Sequence, residues 1–532
     1  MSIILKDQNT SDHIKITRNA GVVSGATLLS RLLGAVRDIA IASFFGAGMV
    51  SDAFVAAFRI PNLLRRMFGE GSLSIAFVPV FTECLVQQGR YEAQQLAASA
   101  IRLLALVLVV CVGGCVAFAP WLVHIVAPGF VDVAQKYALT VDLSQIMFPY
   151  IFFVGLVALS MGILNVLGHF AAPALAPVCL NVGMIVALFA GNYFVETKSQ
   201  LAFWLAGGVL AGGGLQLGLQ VPFLITYKIH FWRSLRLWHP AIKKVLLMMG
   251  PVLFGATVYQ INNVIGTLLA SMLPQGSVSY LYYADRIVQF PLGLFGIATA
   301  TAVFPTMARQ SSQGQYEALR DTFAYAVKLV LFVTLPAMAG LIVLREPIVA
   351  LLFQRGAFDQ VTVRLTASAL LYYGIGLWAF SIIRVVLNTF YALKDTRTPV
   401  RMAVISIIVN LFLGILLMGS MRHNGLALAL SMASMVNLGL LTIALRRRLG
   451  ALGWHTIVAM AVKSGVCATM MGLGVWGASQ LVLADNSAKG AALLPGLMVC
   501  ILTGIMIYGL LSYIMRISEL EILINMVRNR SD

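Results

Sequence analysis

The chain has 532 residues, 60% of them hydrophobic and only 11% charged, with a formal charge of +17 and a mean hydropathy of +0.89. A soluble domain carries about 25% charged residues, so this composition excludes a soluble globular protein and points to an all-α polytopic membrane protein. Nucleic-acid binding is also excluded, because the basic excess falls in alternate short loops rather than on one face.

Taken in chain order, residues 1–19 are polar and include Lys6, Lys15 and Arg18, as expected of a cytoplasmic tail and not of a cleavable signal peptide. At about 20 residues per crossing, hydropathy predicts fourteen helices, at 20–44, 51–87, 96–120, 139–168, 172–194, 200–227, 245–272, 277–308, 321–344, 362–392, 398–419, 424–445, 455–482 and 490–516. The second and eighth are too long to be straight, and Pro61 and Pro291 are the expected breaks.

The first span has two unlike faces. With Arg31 at the origin of a helical wheel, Ser24, Thr27, Ser30, Gly34, Arg37 and Asp38 fall in an arc of about 140° that includes it. Leucines and valines fill the rest. The second span repeats the theme with Asp52, Arg59, Arg65, Arg66 and Glu70, and the eighth groups Ser279, Tyr282, Arg286 and Gln289. An arginine at mid-membrane costs roughly 2.5–3.5 kcal/mol, so Arg31, Arg37, Arg65 and Arg286 need a wet cavity or an anionic partner. A surplus of guanidinium groups in a confined central cavity reads as a site for phosphate or pyrophosphate, because the planar fork grips oxygens bidentately. The alternative is structural: Asp38, Asp52, Glu70 and Asp285 lock helices together through these arginines, while Arg59 and Arg66 snorkel to the cytoplasmic face.

In the sixth span the glycines Gly207, Gly208, Gly212, Gly213, Gly214 and Gly218 predict close helix contact. The loops alternate in charge. Lys228, Arg233, Arg236, Lys243 and Lys244 form one basic loop, Lys394, Arg397 and Arg401 a second, and Arg446, Arg447 and Arg448 a third. The intervening loops are balanced: Asp132 with Lys136, Glu196 with Lys198, Asp485 with Lys489. The basic loops, and with them both termini, are therefore expected on the cytoplasmic side.

Two stretches match at an offset near 225: Ala57-Phe58-Arg59-Ile60 with Ala284-Asp285-Arg286-Ile287, and Ile163-Leu164-Asn165 with Val386-Leu387-Asn388. They predict two parallel six-helix repeats, an N-lobe at 20–228 and a C-lobe at 245–447, joined by a basic cytoplasmic linker at 229–244. Residues 448–532 hold helices 13 and 14 and a tail outside the repeat. The six cysteines lie in or beside apolar spans with no zinc or disulfide spacing, and the seven histidines form no ligand cluster. No nucleotide-binding or nucleophile motif is present. The expectation is a transporter with no catalytic residue, no metal and no cofactor.

The ordered segments Thr27–Asp38, Phe45-Gly46-Ala47-Gly48, Asp52-Ala53-Phe54, Pro61-Asn62-Leu63-Leu64-Arg65-Arg66 and Ala76-Phe77-Val78-Pro79 resemble the N-terminal signature of the bacterial lipid II flippase family, MurJ or MviN. The resemblance recurs at Ala127–Phe130, Phe148–Tyr150, Tyr282–Arg286, Leu352–Gly356 and Asp395–Pro399, and so covers nearly the whole chain. It implies a fourteen-helix fold of the multidrug/oligosaccharidyl-lipid/polysaccharide exporter superfamily, in which the last two helices form a groove for a polyprenyl tail. The implied cargo is lipid II, undecaprenyl-pyrophosphate carrying the peptidoglycan precursor, moved to the outer leaflet of the bacterial inner membrane. Membrane lipids and cell-wall synthesis proteins are the implied partners. The family's functional arginines match Arg31, Arg37, Arg65 and Arg286, its essential aspartate matches Asp52, and Asp38 and Glu70 fit its pattern. Ser30, on the same face as Arg31 and Arg37, joins the candidate set. Some members use acidic residues on the seventh and eleventh helices for sodium, but 245–272 and 398–419 hold only Asn262, Asn263 and Asn410. Two other functions compete. A drug or cation exporter of the superfamily should carry an acidic core, and a polytopic enzyme on lipid-linked sugars should carry a catalytic group on a sizeable outer loop.

Overall fold

The computed structural model describes residues 2–67, 73–230, 237–483 and 490–521, and side chains outside 2–20, 74, 250–259 and 491. Among the described residues every regular element is helical. Ten helices are long and apolar enough to cross a bilayer, eleven when Gln360–Ile375 and Leu377–Ala392, bent by 44°, count as one. The expected stretches outside that set are also helical, and they are the ones that carry the charged and amide residues at the centre of the functional question: 20–44, 51–87 and 245–272.

Packing divides the chain into two compact units, residues 1–268 and 269–532. The first contains α1 (Ser2–Phe45), α2 (Met49–Met67), α3 (Leu73–Gln87), α4 (Arg90–Ala117), a short α5 (Ala119–Val126), α6 (Ala134–Met147), α7 (Tyr150–Val166), α8 (Ala171–Phe194) and α9 (Lys198–Thr226), with most of α10 (Pro240–Ser271). The second contains α11 (Ser277–Pro291), α12 (Ala298–Ser312), α13 (Tyr316–Val343), a short α14 (Arg345–Phe353), α15 (Gln360–Ile375), α16 (Leu377–Ala392), α17 (Arg397–Met421) and α18 (His423–Leu449), then α19 (Trp454–Val482) and α20 (Leu494–Ile514). From α2 to α9 and from α11 to α18 the element order is the same, down to the short helix after the long third one. The internal sequence matches therefore report a repeated architecture.

Local chemistry sets the breaks. Pro61 lies inside an uninterrupted α2 and does not break it. Pro291 behaves as expected: α11 ends there and the backbone widens into a π-helical stretch, Leu292–Ile297, before α12. A capping box starts α9, where Thr197 accepts from Gln200 N–H, and Asp359 caps α15 by accepting from Thr362 N–H at 2.8 Å. Hydrogen bonding from the Thr362 hydroxyl, and then from its N–H, holds the Asp359 carboxyl below the ordinary carboxylate range.

Between membrane helices burial of apolar surface supplies little drive, so close packing of small residues has to. A Cβ on Gly208 would stand 2.5 Å from Ala187 Cβ and 2.8 Å from Gly183 O, and one on Gly212 would stand 2.9 Å from Leu180 Cα. Gly213 clears the ring of Tyr150 in the same way, at 2.7 Å. These three glycines let α9 lie against α8 and α7. Gly207, Gly214 and Gly218 face open space and have no such duty.

In the second unit, Pro336 sits inside α13 and has no N–H for the carbonyl four residues earlier, Phe332. Tyr508 of α20 supplies the missing donor, its hydroxyl reaching Phe332 O at 2.7 Å while Ser464 of α19 lies 2.5 Å from the same hydroxyl. Lys328 and the buried Glu519 add an ion pair at 3.4 Å. The last two helices are thereby tied to α13 inside one unit.

Candidate functional site

The charged faces resolve into distinct settings. On α1, Arg37 and Asp38 are both buried, and Arg37 donates from Nε and Nη2 to Asp38 Oδ1 at 3.0 and 2.7 Å. Its Nη1 donates to Asn181 Oδ1 of α8 at 2.8 Å, and Asn181 Nδ2 returns a bond to Ser30 O at 3.0 Å. Gly34 faces the Asn181 amide, where a Cβ would make only ordinary contact at 3.7 Å. Ser30, Arg37 and Asp38 are thus brought together, and an amide that sequence reasoning passed over organises them. Arg31, on the same helix, is exposed, as are its apolar neighbours Leu28, Leu29 and Leu32.

On α2, Arg65 is half-buried and donates from Nε to Asn62 Oδ1 at 3.0 Å, which orients the guanidinium along its own helix. Tyr150, fully buried at the start of α7, lies within electrostatic range of both Arg65 and Arg37. Those two cations therefore surround one region of the first unit. Arg59 donates to Thr267 Oγ1 of α10 at 2.7 Å, so it is engaged with a neighbouring helix rather than with the membrane surface. Glu70 lies outside the described residues.

Asp52 stands apart from this group. It occupies the first turn of α2 and is buried, and Lys136 Nζ of α6 donates to its Oδ2 at 2.8 Å. The Lys136 ammonium also sits 3.9 Å from the Phe130 ring centroid. Sequence reasoning had balanced Lys136 against Asp132 in a loop. The structure instead buries it in α6 against a residue 84 positions away.

In the second unit, Arg286 of α11 donates from Nη2 to the Tyr282 hydroxyl at 3.1 Å and lies 4.8 Å over the same ring. Asp285 accepts from Gln289 Nε2 at 3.2 Å. Arg37 is salt-bridged to Asp38 on its own helix, a pair that by itself joins no two helices, while the ion pair of Asp52 is made with a lysine rather than an arginine. Counted as residues, the polar faces of α1 and α2 set Arg31, Arg37, Arg59, Arg65 and Arg66 against Asp38 and Asp52. The surplus is cationic. Among the described residues no group of three or more His, Cys, Asp or Glu gathers to hold a metal ion. The amides expected as stand-ins are occupied locally: Asn263 donates to Gln260 at 3.3 Å, and Asn410 is buried.

The second unit also holds an apolar cleft of about 300 Å³. Leu331 and Leu335 of α13, Trp378 and Ile382 of α16, Leu438 of α18 and Trp454 of α19 line it, and its wall exposes almost no polar surface.

Comparison with known proteins agrees along the length of the chain. The family model described as lipid II flippase MurJ matches residues 41–489. A probable lipid II flippase MurJ of Vibrio cholerae is 38% identical over 434 residues, covering 80% of this chain and 82% of that protein. The corresponding protein of Bdellovibrio bacteriovorus is 34% identical over 513 residues, covering 96% and 97%. Among solved structures, a lipid II flippase MurJ in an inward closed conformation superposes with a TM-score of 0.77 at 27% identity, over 93% of this chain and 98% of that one. An inward-facing multidrug resistance transporter of the MATE family shares the fold alone, with a TM-score of 0.68 at 16% identity, over 82% and 99%.

Proposed function

We infer that this chain, which belongs to the lipid II flippase MurJ family, moves lipid II from the cytoplasmic to the outer leaflet of the bacterial inner membrane. It is a multi-pass transporter and not an enzyme. The observation that carries this reading is the surplus of arginine on the polar faces of α1 and α2, with Arg286 on α11, in helices otherwise built for a membrane. A cation or drug exporter has no use for such a surplus, whereas a pyrophosphate headgroup supplies oxygens for bidentate guanidinium contacts. Arg31, Arg65 and Arg286 are the headgroup ligands of this proposal, with Arg37, Asp38 and Ser30 as the knot that shapes the face of α1, and Asp52 and Glu70 as further members of the set.

The lobes proposed are residues 20–228 and 245–447, joined by the linker 229–244, with a cytoplasmic tail at 1–19 and both termini cytoplasmic. Helices 13 and 14, within 448–532, serve the lipid tail. The apolar cleft walled by α13, α16, α18 and α19 supports a polyprenyl berth in this half, because isoprene units demand a lining free of unsatisfied polar groups. Cell-wall synthesis proteins are proposed as partners on the grounds of the cargo alone. The deciding experiment is depletion of the protein followed by leaflet-resolved measurement of lipid II. Accumulation in the cytoplasmic leaflet is expected, and an unchanged distribution would overturn the reading.

A further inference from the structure

Lys136 has no counterpart in what the fold requires. The two units build the same junction, the helix after the first loop (α2 or α11) against the helix after the short one (α6 or α15), and both junctions are tightly packed. In the second unit the corresponding positions hold no ion pair. With residues 57 and 284 aligned, Asp52 corresponds to Ser279, and with the starts of α6 and α15 aligned, Lys136 falls at Thr362, both buried hydroxyl residues. The aromatic residue before the helix is kept, as Phe130 in one unit and Phe358 in the other. Phe130 carries the Lys136 ammonium, while Phe358 carries the edge of the Tyr283 ring at 5.3 Å. At these positions the second unit makes do with hydroxyl and aromatic residues.

The first unit nevertheless keeps a full ion pair there, with Asp52 at 1% and Lys136 at 5% exposure. Desolvation makes such a pair weak evidence for stability, and apolar or neutral replacements of both partners are often tolerated. What the pair adds over the neutral junction is a fixed negative charge at the first turn of α2.

We propose that Lys136 is a positioning residue for transport: it holds the Asp52 side chain aimed at the start of α2, and flipping requires that ion-paired carboxylate rather than the helix junction as such. Lys136 itself touches no cargo in this proposal. The inference rests on the flippase reading and deepens it by adding a residue to the essential set.

The test uses full-length protein in liposomes containing lipid II, with flipping and the thermal midpoint Tm measured on each variant. Lys136→Met is expected to lower flipping at least about tenfold and to lower Tm, because it strands a buried carboxylate. Lys136→Arg, which keeps the charge, is expected to restore flipping to within about threefold of wild type. The decisive variant is Asp52→Asn with Lys136→Met. It mimics the neutral junction of the second unit, and is expected to recover Tm without recovering flipping. Wild-type flipping by that double variant, or by Lys136→Met alone, overturns the proposal. Where Lys136→Met fails to fold, the double variant carries the test. A wild-type protein that moves no lipid II would overturn the functional reading itself, which separates the two failures.

Discussion

Arg31 and Arg37 share a helix and a sequence signature, yet their surroundings ask different things of them. Arg37 is neutralised by Asp38 and fixed by Asn181, while Arg31 is exposed. Arg31→Ala is therefore expected to abolish flipping with Tm unchanged. Arg31→Lys should remain impaired, because a point charge does not reproduce a bidentate fork. Arg37→Ala should lose flipping and Tm together, since Asp38 is left buried without its cation, a loss of about 3–5 kcal/mol for such pairs. Matching flipping rates and Tm values in Arg31→Ala and wild type would remove Arg31 from the headgroup set. Much of this was legible beforehand, because charge in an apolar stretch is conspicuous and helical periodicity places Ser30, Arg31, Arg37 and Asp38 on one face. Asn181 and Lys136 were not legible as partners. Each becomes significant only through a contact with a distant residue, and nothing in a linear pattern pairs Lys136 with Asp52 rather than with nearby Asp132. Asp395 shows a middle case, in which motif and purpose were separable. Despite burial, which opposes ionisation, its carboxyl is held below the ordinary range by the Thr398 N–H and hydroxyl and by Arg448 at 2.5 Å. The motif proves to be a helix-start clamp.

At the level of elements, hydropathy located the long apolar helices, because a bilayer imposes about 20 apolar residues and internal hydrogen bonding on any crossing segment, but not the short α5 and α14 or the helical start of α1 before residue 20. It expected a break at Pro61, but a proline within α2 removes one donor without ending the helix. It also read all six glycines of α9 as contact sites, although only the three that face α7 and α8 are. A helix wheel cannot say which face has a neighbour. The loops carry their own expectation. In a background without native cysteines, Arg447→Cys should resist an impermeant thiol reagent added outside intact cells, while Lys198→Cys should react. Labelling at 447 and protection at 198 would reverse the proposed orientation.

For the molecule as a whole the question is energy, since the sequence holds no nucleotide-binding motif. A pyrophosphate carries about two negative charges, and moving each outward across 100 mV, inside negative, yields about 2.3 kcal/mol. The membrane potential then contributes roughly 4–5 kcal/mol per cycle, provided the arginines stay fixed in the field while the cargo crosses. Arginines that travelled with the cargo would cancel the gain. Collapsing the potential with valinomycin and potassium is therefore expected to slow flipping, with little effect from removing sodium. Flipping that needs sodium and ignores the potential would sink this energetic scheme. The two-unit division and the repeated element order were legible from two short internal matches, whereas the division within α10 was not, because packing rather than composition decides it.

The bond from Tyr508 to Phe332 has a consequence for biosynthesis. Pro336 creates its orphan carbonyl as soon as α13 is made, but the hydroxyl that satisfies it belongs to a residue 176 positions later. At about 5–20 residues per second, the ribosome delivers that donor roughly 10–35 s after the carbonyl. Hydrocarbon offers no substitute donor in the interval. The nascent second half must therefore keep this point of α13 beside water, the insertion machinery or another helix until α20 arrives. A chain that stalls before Tyr508 lacks the donor that the finished protein aims at the Phe332 carbonyl, so this point of α13 completes its hydrogen bonding only when the last helix is made.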